Sequence, residues 1–123
     1  MIKLTIKEVS EKYGVEASTL RYYEKEGILS SVSKVNGVRN YTEANLQNIE
    51  FVLCMRKAGM NIERLKRYMS MIQDDSKTLE RKKILEEQRD DVVRELEVLN
   101  ACLEKLNYKI EHYQKILDAE KKL

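Results

Sequence analysis

The stretch Leu85–Leu117 reads LEEQRDDVVRELEVLNACLEKLNYKIEHYQKIL. Within it Val92, Leu96, Leu99, Leu103, Leu106, Ile110, Tyr113 and Leu117 follow one another at alternating intervals of four and three residues, and Leu85 lies one heptad before Val92. This is the a/d rhythm of a coiled-coil seam. The residues between are mostly Glu, Asp, Lys, Arg and Asn, so the helix carries one narrow apolar stripe. From Leu79 to Leu117 such a helix is roughly 57 Å long. An intrachain hairpin would need a second long amphipathic helix upstream, and the sequence offers none. A second copy covers the stripe instead, which makes this segment a dimerisation helix. The seam leaves the relative strand direction open, because most a positions lack the β-branched residues that favour parallel pairs.

The remaining composition bounds the answer. A chain of 123 residues, 36% of them charged, holds one small domain and an extension. Its formal charge of +2 is too small to establish a nucleic-acid partner. Residues 1–76 carry twelve basic and ten acidic side chains, and residues 77–123 carry eleven of each. No basic leader precedes an apolar run and no apolar stretch is long enough to span a bilayer, so the expectation is a cytoplasmic protein without a membrane partner. Cys54 and Cys102 lie far apart, match no zinc spacing and are expected to be reduced thiols.

The first part of the chain is a series of short helices. Thr5 and Glu8 form a capping-box pattern ahead of Val9 and Tyr13, and Gly14 ends that helix. A second helix is expected from about Glu16 to Glu26, with Ala17, Leu20 and one or both of Tyr22 and Tyr23 inward, Tyr23 being the better candidate. Gly27 stops it. Two short helices joined at Gly14-Val15 read as a helix-turn-helix or as an ordinary helical pair. Asn36-Gly37 between Val35 and Val38 then predicts a type I′ hairpin, from which Lys34 and Arg39 project. A helix-turn-helix with a basic hairpin appended is a winged helix-turn-helix. Thr42 and Asn61 are expected N-caps of two further helices. The first carries Leu46, Ile49, Val52, Leu53 and Met55, and the second Ile62, Leu65, Tyr68, Met69 and Ile72. Asp74-Asp75-Ser76 breaks the pattern, and the two aspartates suit the positive end of the long helix. The fold expected is mainly α, with a winged helix-turn-helix over 1–75 and a dimerisation helix over 76–123.

Several strings together resemble the MerR family of bacterial transcription regulators. They are Thr19-Leu20-Arg21-Tyr22-Tyr23-Glu24, Gly27-Ile28-Leu29, Asn36-Gly37-Val38-Arg39-Asn40-Tyr41, Leu46-Gln47-Asn48-Ile49-Glu50-Phe51 and Arg56-Lys57-Ala58-Gly59-Met60. The resemblance covers roughly Leu4 to Ile72. It implies an antiparallel coiled coil for the long helix, and a homodimer on a pseudo-palindromic double-stranded promoter element. It further implies that the dimer bends and untwists that DNA so that RNA polymerase can engage. Two departures stand out. Ser30, Ser31, Val32 and Ser33 occupy the stretch where the family usually has Pro with a nearby Arg. Glu16 stands where Ser or Thr often caps the recognition helix.

That helix should enter the major groove by its N-terminal part. Ser18 and Thr19 can donate to a phosphate or a base edge, and Arg21 and Lys25 share a face four residues apart. Tyr22 can offer its hydroxyl to a phosphate. Lys34 and Arg39 should reach flanking phosphates from the wing. Tyr41 has two readings: a backbone contact, or a core residue closing the wing onto the helices.

The sensing chemistry is narrower. Two thiols and the single His112 do not make a metal site, so no metal or other cofactor is expected. With the sequence ending at Leu123, no large effector domain is expected either. Cys54, within Phe51-Val52-Leu53-Cys54-Met55-Arg56, resembles a branch of the family with a cysteine in this helix that responds to aldehydes or other thiol-reactive compounds. Arg56, Lys57 and Arg67 would favour its thiolate if the fold brings them close. The competing reading is a small buried hydrophobe. Cys102 falls at a g position beside the seam, where packing is the expectation. Three other readings remain open: the same regulator with a non-covalent effector, a constitutive regulator, or a coiled-coil interaction protein without DNA binding. An enzyme is not expected, because Cys54 has only His112 as a neutral-pH base in the sequence.

Overall fold

The structure is a computed structural model and describes residues 4–30 and 32–122. Five α-helices and one two-stranded hairpin occur in the described residues: α1 Ile6–Tyr13, α2 Ala17–Lys25, β1 Lys34–Val35, β2 Val38–Arg39, α3 Glu43–Lys57, α4 Ile62–Met69 and α5 Thr78–Lys121. A 3-10 turn over Asp75–Lys77 precedes α5. The fold is mainly α, with a winged helix-turn-helix and a long C-terminal helix.

Local chemistry sets most boundaries. Thr5 accepts from the Glu8 amide at 3.2 Å while the Thr5 amide donates to Glu8 at 3.0 Å, a complete capping box. That bond holds the Glu8 carboxyl below the usual carboxylate range. Gly14 adopts φ +62°, which closes α1 in the left-handed conformation. Thr42 and Asn45 form a second box at the start of α3, and Asn61 caps α4 through the Arg64 amide. Glu16 opens α2 without a side-chain cap bond, consistent with its poor fit to that role. Asn36 at φ +52° and Gly37 at φ +79° make the left-handed pair that a type I′ turn requires. The hairpin pairs Lys34 with Arg39 and Val35 with Val38.

One boundary differs from expectation. α4 ends at Met69, so Ile72 lies beyond it. The Ser70 hydroxyl donates to the Arg67 carbonyl at 2.7 Å, and the Met71 amide turns back to Tyr68. Asp74 then accepts from the Ser76 amide and hydroxyl, which holds its carboxyl low.

The chain divides into two compact units, Met1–Glu86 and Glu87–Leu123. The first has one core: Val9, Leu20, Tyr23, Ile28, Leu29, Val32, Tyr41, Leu46, Ile49, Val52, Met60, Leu65, Met69 and Ile84. Every helix of that unit contributes, and Ile84 adds the first turns of α5. Tyr41 is also bridged through backbone bonds to Leu4, which ties the start of the chain to the end of the wing. The second unit is the remainder of α5; its seam side chains from Leu96 to Leu117 are exposed in the single chain, and Val92 is half-buried. Among the described residues no helix is long and apolar enough to cross a membrane.

Arg81 secures the turn between α4 and α5. Its Nη1 donates to the carbonyls of Met71 at 2.9 Å and Ile72 at 2.7 Å, and its Nη2 donates to Thr78 at 3.0 Å. Arg81→Ala removes charge-assisted bonds to carbonyls with no helical donor. The expected loss is about 1.5–3 kcal/mol in urea unfolding at fixed protein concentration. An unchanged unfolding midpoint would show that water replaces the guanidinium at no cost.

Candidate nucleic-acid interface

The helix-turn-helix forms because α1 and α2 each bury one narrow face. Val9 faces the core from α1, and Leu20 and Tyr23 face it from α2. The Ser10 hydroxyl donates to the Val15 carbonyl at 2.5 Å and fixes the turn between them. With Leu20 and Tyr23 buried, the 3.6-residue period turns Ser18, Arg21, Tyr22 and Lys25 outward. Tyr22 is 45% exposed and Tyr23 only 7%, the inward and outward assignment expected from the sequence. Their rings lie 6.0 Å apart at a tilt of 53°. Thr19 is half-buried.

Ser18, Thr19, Tyr22 and Tyr23 line one side of an open groove of about 490 Å³. Arg56 and Ile62, from the end of α3 and the start of α4, line the other. The Arg56 guanidinium donates to the Met60 carbonyl at 2.6 Å, which fixes its position at the turn between the two helices. From the sequence, Arg56 is expected to favour the Cys54 thiolate only if the fold brings the two together. Residues two apart on a helix do not face each other, so Arg56 serves the turn and the groove. Only tertiary structure brings it to α2, and no local pattern signals that.

The wing presents Lys34 to solvent. Arg39 behaves differently. Its Nε donates to Glu24 Oε2 of α2 at 2.8 Å, with both side chains mostly covered. The pair joins the hairpin to the recognition helix, and the other guanidinium nitrogens retain donors for a phosphate. Lys66 reaches Glu26 at 3.3 Å and makes a looser tie from α4 to the end of α2.

The phosphate-contact reading of Tyr41 is corrected. Tyr41 is 1% exposed, packed in the core where the wing meets the helices. Burial, with Glu24 nearby, pushes its phenol pKa up and keeps it neutral. The buried-hydrophobe reading of Cys54 is also corrected: the residue is an exposed free thiol on α3, and Cys102 is exposed on α5. No group of three or more metal-ligating side chains occurs among the described residues.

A helix of outward polar and basic residues, a hairpin wing at its side and a long helix beyond are features shared with known proteins. The family described as MerR HTH family regulatory protein matches residues 4–72. The chain belongs to the MerR family. Membership makes it a DNA-binding transcription regulator of the homodimeric MerR type and not an enzyme. It is 39% identical over 92 residues to the HTH-type transcriptional regulator AdhR of Bacillus subtilis, an alignment covering 73% of this chain and 66% of AdhR. A candidate MerR family regulator from Listeria monocytogenes superposes with a TM-score of 0.91 at 34% identity, covering 98% of this chain and 93% of that one. HiNmlR, a MerR family regulator lacking the sensor domain and bound to promoter DNA, superposes with a TM-score of 0.83 at 34% identity. That match covers 93% of this chain and 92% of HiNmlR.

The Arg39–Glu24 pair yields a thermodynamic test. A double-mutant cycle of Glu24→Ala and Arg39→Ala, read as unfolding free energy, should give a coupling of about 0.5–1 kcal/mol. Additive effects would mean that the pair does not hold the wing to α2.

Proposed function

We propose that this MerR-type dimer reads a pseudo-palindromic promoter element in the cytoplasm, with residues 1–75 contacting DNA and 76–123 pairing the two copies in an antiparallel coiled coil. The observation that carries the reading is the outward row Ser18, Arg21, Tyr22 and Lys25 on a helix whose opposite face is locked in the core. HiNmlR, so similar in fold and bound to promoter DNA, supports it. In this reading Ser18, Thr19 and Arg21 meet base edges or phosphates at the entry to the major groove. Tyr22, Lys25, Lys34 and the free guanidinium nitrogens of Arg39 hold the backbone. Leu85, Val92, Leu96, Leu99, Leu103, Leu106, Ile110, Tyr113 and Leu117 form the dimer seam. The bound duplex is bent and untwisted, which presents the promoter elements to RNA polymerase.

Binding to DNA from the protein's own upstream region tests this. Arg21→Ala should cost roughly 1–3 kcal/mol and relax preference at one base position. Lys34→Ala should weaken binding evenly across sequences and lower the salt slope by about one. Wild-type affinity and slope in both variants would reject the contacts.

The regulatory signal we propose is an electrophile, an aldehyde being the simplest, that adds to the Cys54 thiol. Its exposure on α3 gives a reagent access. An adduct changes the size and polarity of the exposed face of α3 at Cys54, and a contact it makes in only one of two states can shift the equilibrium between them. Transcription in vitro from the target promoter, with and without aldehyde, separates the cases. Cys54→Ser should bind DNA and lose the response, while Cys102→Ser keeps it. A full response from Cys54→Ser would make the effector non-covalent.

A further inference from the structure

Beyond the existence of a dimer, the flanks of the α5 seam specify how two copies align. We infer that a second copy lies antiparallel in one register, with Glu95 beside the partner's Lys109, and with Cys102 and Asn100 each beside its own counterpart across the two-fold axis. This rests on the homodimer reading above. The stripe residues from Leu96 to Leu117 are at least half exposed, and Glu95, Asn100, Cys102 and Lys109 are exposed too, so this face is open in the single chain.

Antiparallel helices set a positions of one against d positions of the other, and flanking g against g and e against e. The heptad puts Leu96, Leu103, Ile110 and Leu117 at a, and Leu85, Val92, Leu99, Leu106 and Tyr113 at d. Arg89 falls at a, the one charged residue in the seam between Leu85 and Leu117. In the proposed register Leu103 meets the partner's Leu99, Leu96 meets the partner's Leu106, and Ile110 meets the partner's Val92. Arg89 then lies against the partner's Tyr113, whose ring accepts a guanidinium and its stem. On one flank Glu95 and the partner's Lys109 form an ion pair, twice by symmetry. On the other flank two Asn100 amides meet, each able to donate and accept.

The alternatives fare worse. A parallel pair stacks Arg89 on its own copy in the seam, and its g-to-e contacts place Glu95 beside Asn100 and Lys109 beside Gln114, leaving both without a charge partner. Its Arg81-to-Glu86 contact would draw on a guanidinium already bonded to Met71, Ile72 and Thr78. Sliding the antiparallel pair one heptad one way sets Glu95 against the partner's Ile116 and Lys109 against the partner's Cys102. It gains Glu86 with the partner's Lys121 and Arg89 with the partner's Glu120, both confined to the last turn of the helix, and loses the pair in the middle of the flank. Sliding it the other way sets Arg89 against the partner's Leu106 and Glu95 against the partner's Cys102.

The test is charge exchange on the full chain, read as the dimer dissociation constant by sedimentation equilibrium. Glu95→Lys and Lys109→Glu should each weaken the dimer roughly tenfold, because each turns two attractions into repulsions. Together in one chain they should restore wild-type affinity. In a Cys54→Ser background, a short bis-maleimide should join Cys102 to Cys102 in a covalent dimer. A stable wild-type dimer whose double variant is weaker than either single, and which Cys102 does not cross-link, overturns the register. A monomeric wild type would instead overturn the dimer on which the register rests.

Discussion

The uncovered apolar stripe of α5 is the constraint on which the rest depends. Leu99 is 58% exposed and Leu103 53% in the single chain, and their neighbours on the stripe are similar. Each such side chain, about half covered already, forgoes roughly 1 kcal/mol of stabilisation by remaining in water. A 44-residue helix, nearly half of it charged, has no second long helix among the described residues to pack on. Its burial therefore comes from another chain, and association follows from the same heptad pattern that makes the segment helical. The function proposed inherits this, since a symmetric duplex site is matched by a symmetric pair of recognition helices.

Within the first unit, the division of labour follows from which face of each short helix is apolar. Leu20 and Tyr23 anchor α2 from one side, so its polar row has a fixed orientation instead of a solvated, rotating one. The Arg39–Glu24 pair then joins the wing to the same helix, and Arg56, held on the Met60 carbonyl, lines the groove from α3. The basic side chains of this region therefore fall into two groups. Arg39, Lys66 and Arg56 are held by bonds within the protein, whereas Lys34 projects into solvent from the wing. The two-residue strands are short for independent stability, so the hairpin relies on Tyr41, Val32 and this ion pair to hold its place.

The caps at Thr5, Thr42 and Asn61 and the turn at Asn36-Gly37 were legible in the sequence, because each is decided by bonds within four residues. The alternation of Leu20 and Tyr23 inward with Arg21 and Tyr22 outward was legible for the same reason: helical period fixes it. The burial of Tyr41 was not. An aromatic residue between a wing and a helix suits either water or core, and only the Leu4 bridge and the closing of α2, α3 and the wing around it decide. The Arg39–Glu24 pair joins residues fifteen apart across two elements, beyond any local pattern. Cys54 fits both a core and a surface position by type, and its exposure follows from how α3 is rotated by Leu46, Ile49 and Val52. The early end of α4 depended on a Ser70 hydroxyl competing for a helix carbonyl, which residue type alone does not determine.

The most direct measurement of the central claim is the mass of the complex formed by the full chain with its own upstream duplex, by light scattering coupled to size exclusion. The account predicts two chains per duplex at saturation, with the free protein already dimeric at the same concentration. One chain per duplex at full affinity, or a monomeric free protein that binds as tightly, would contradict it.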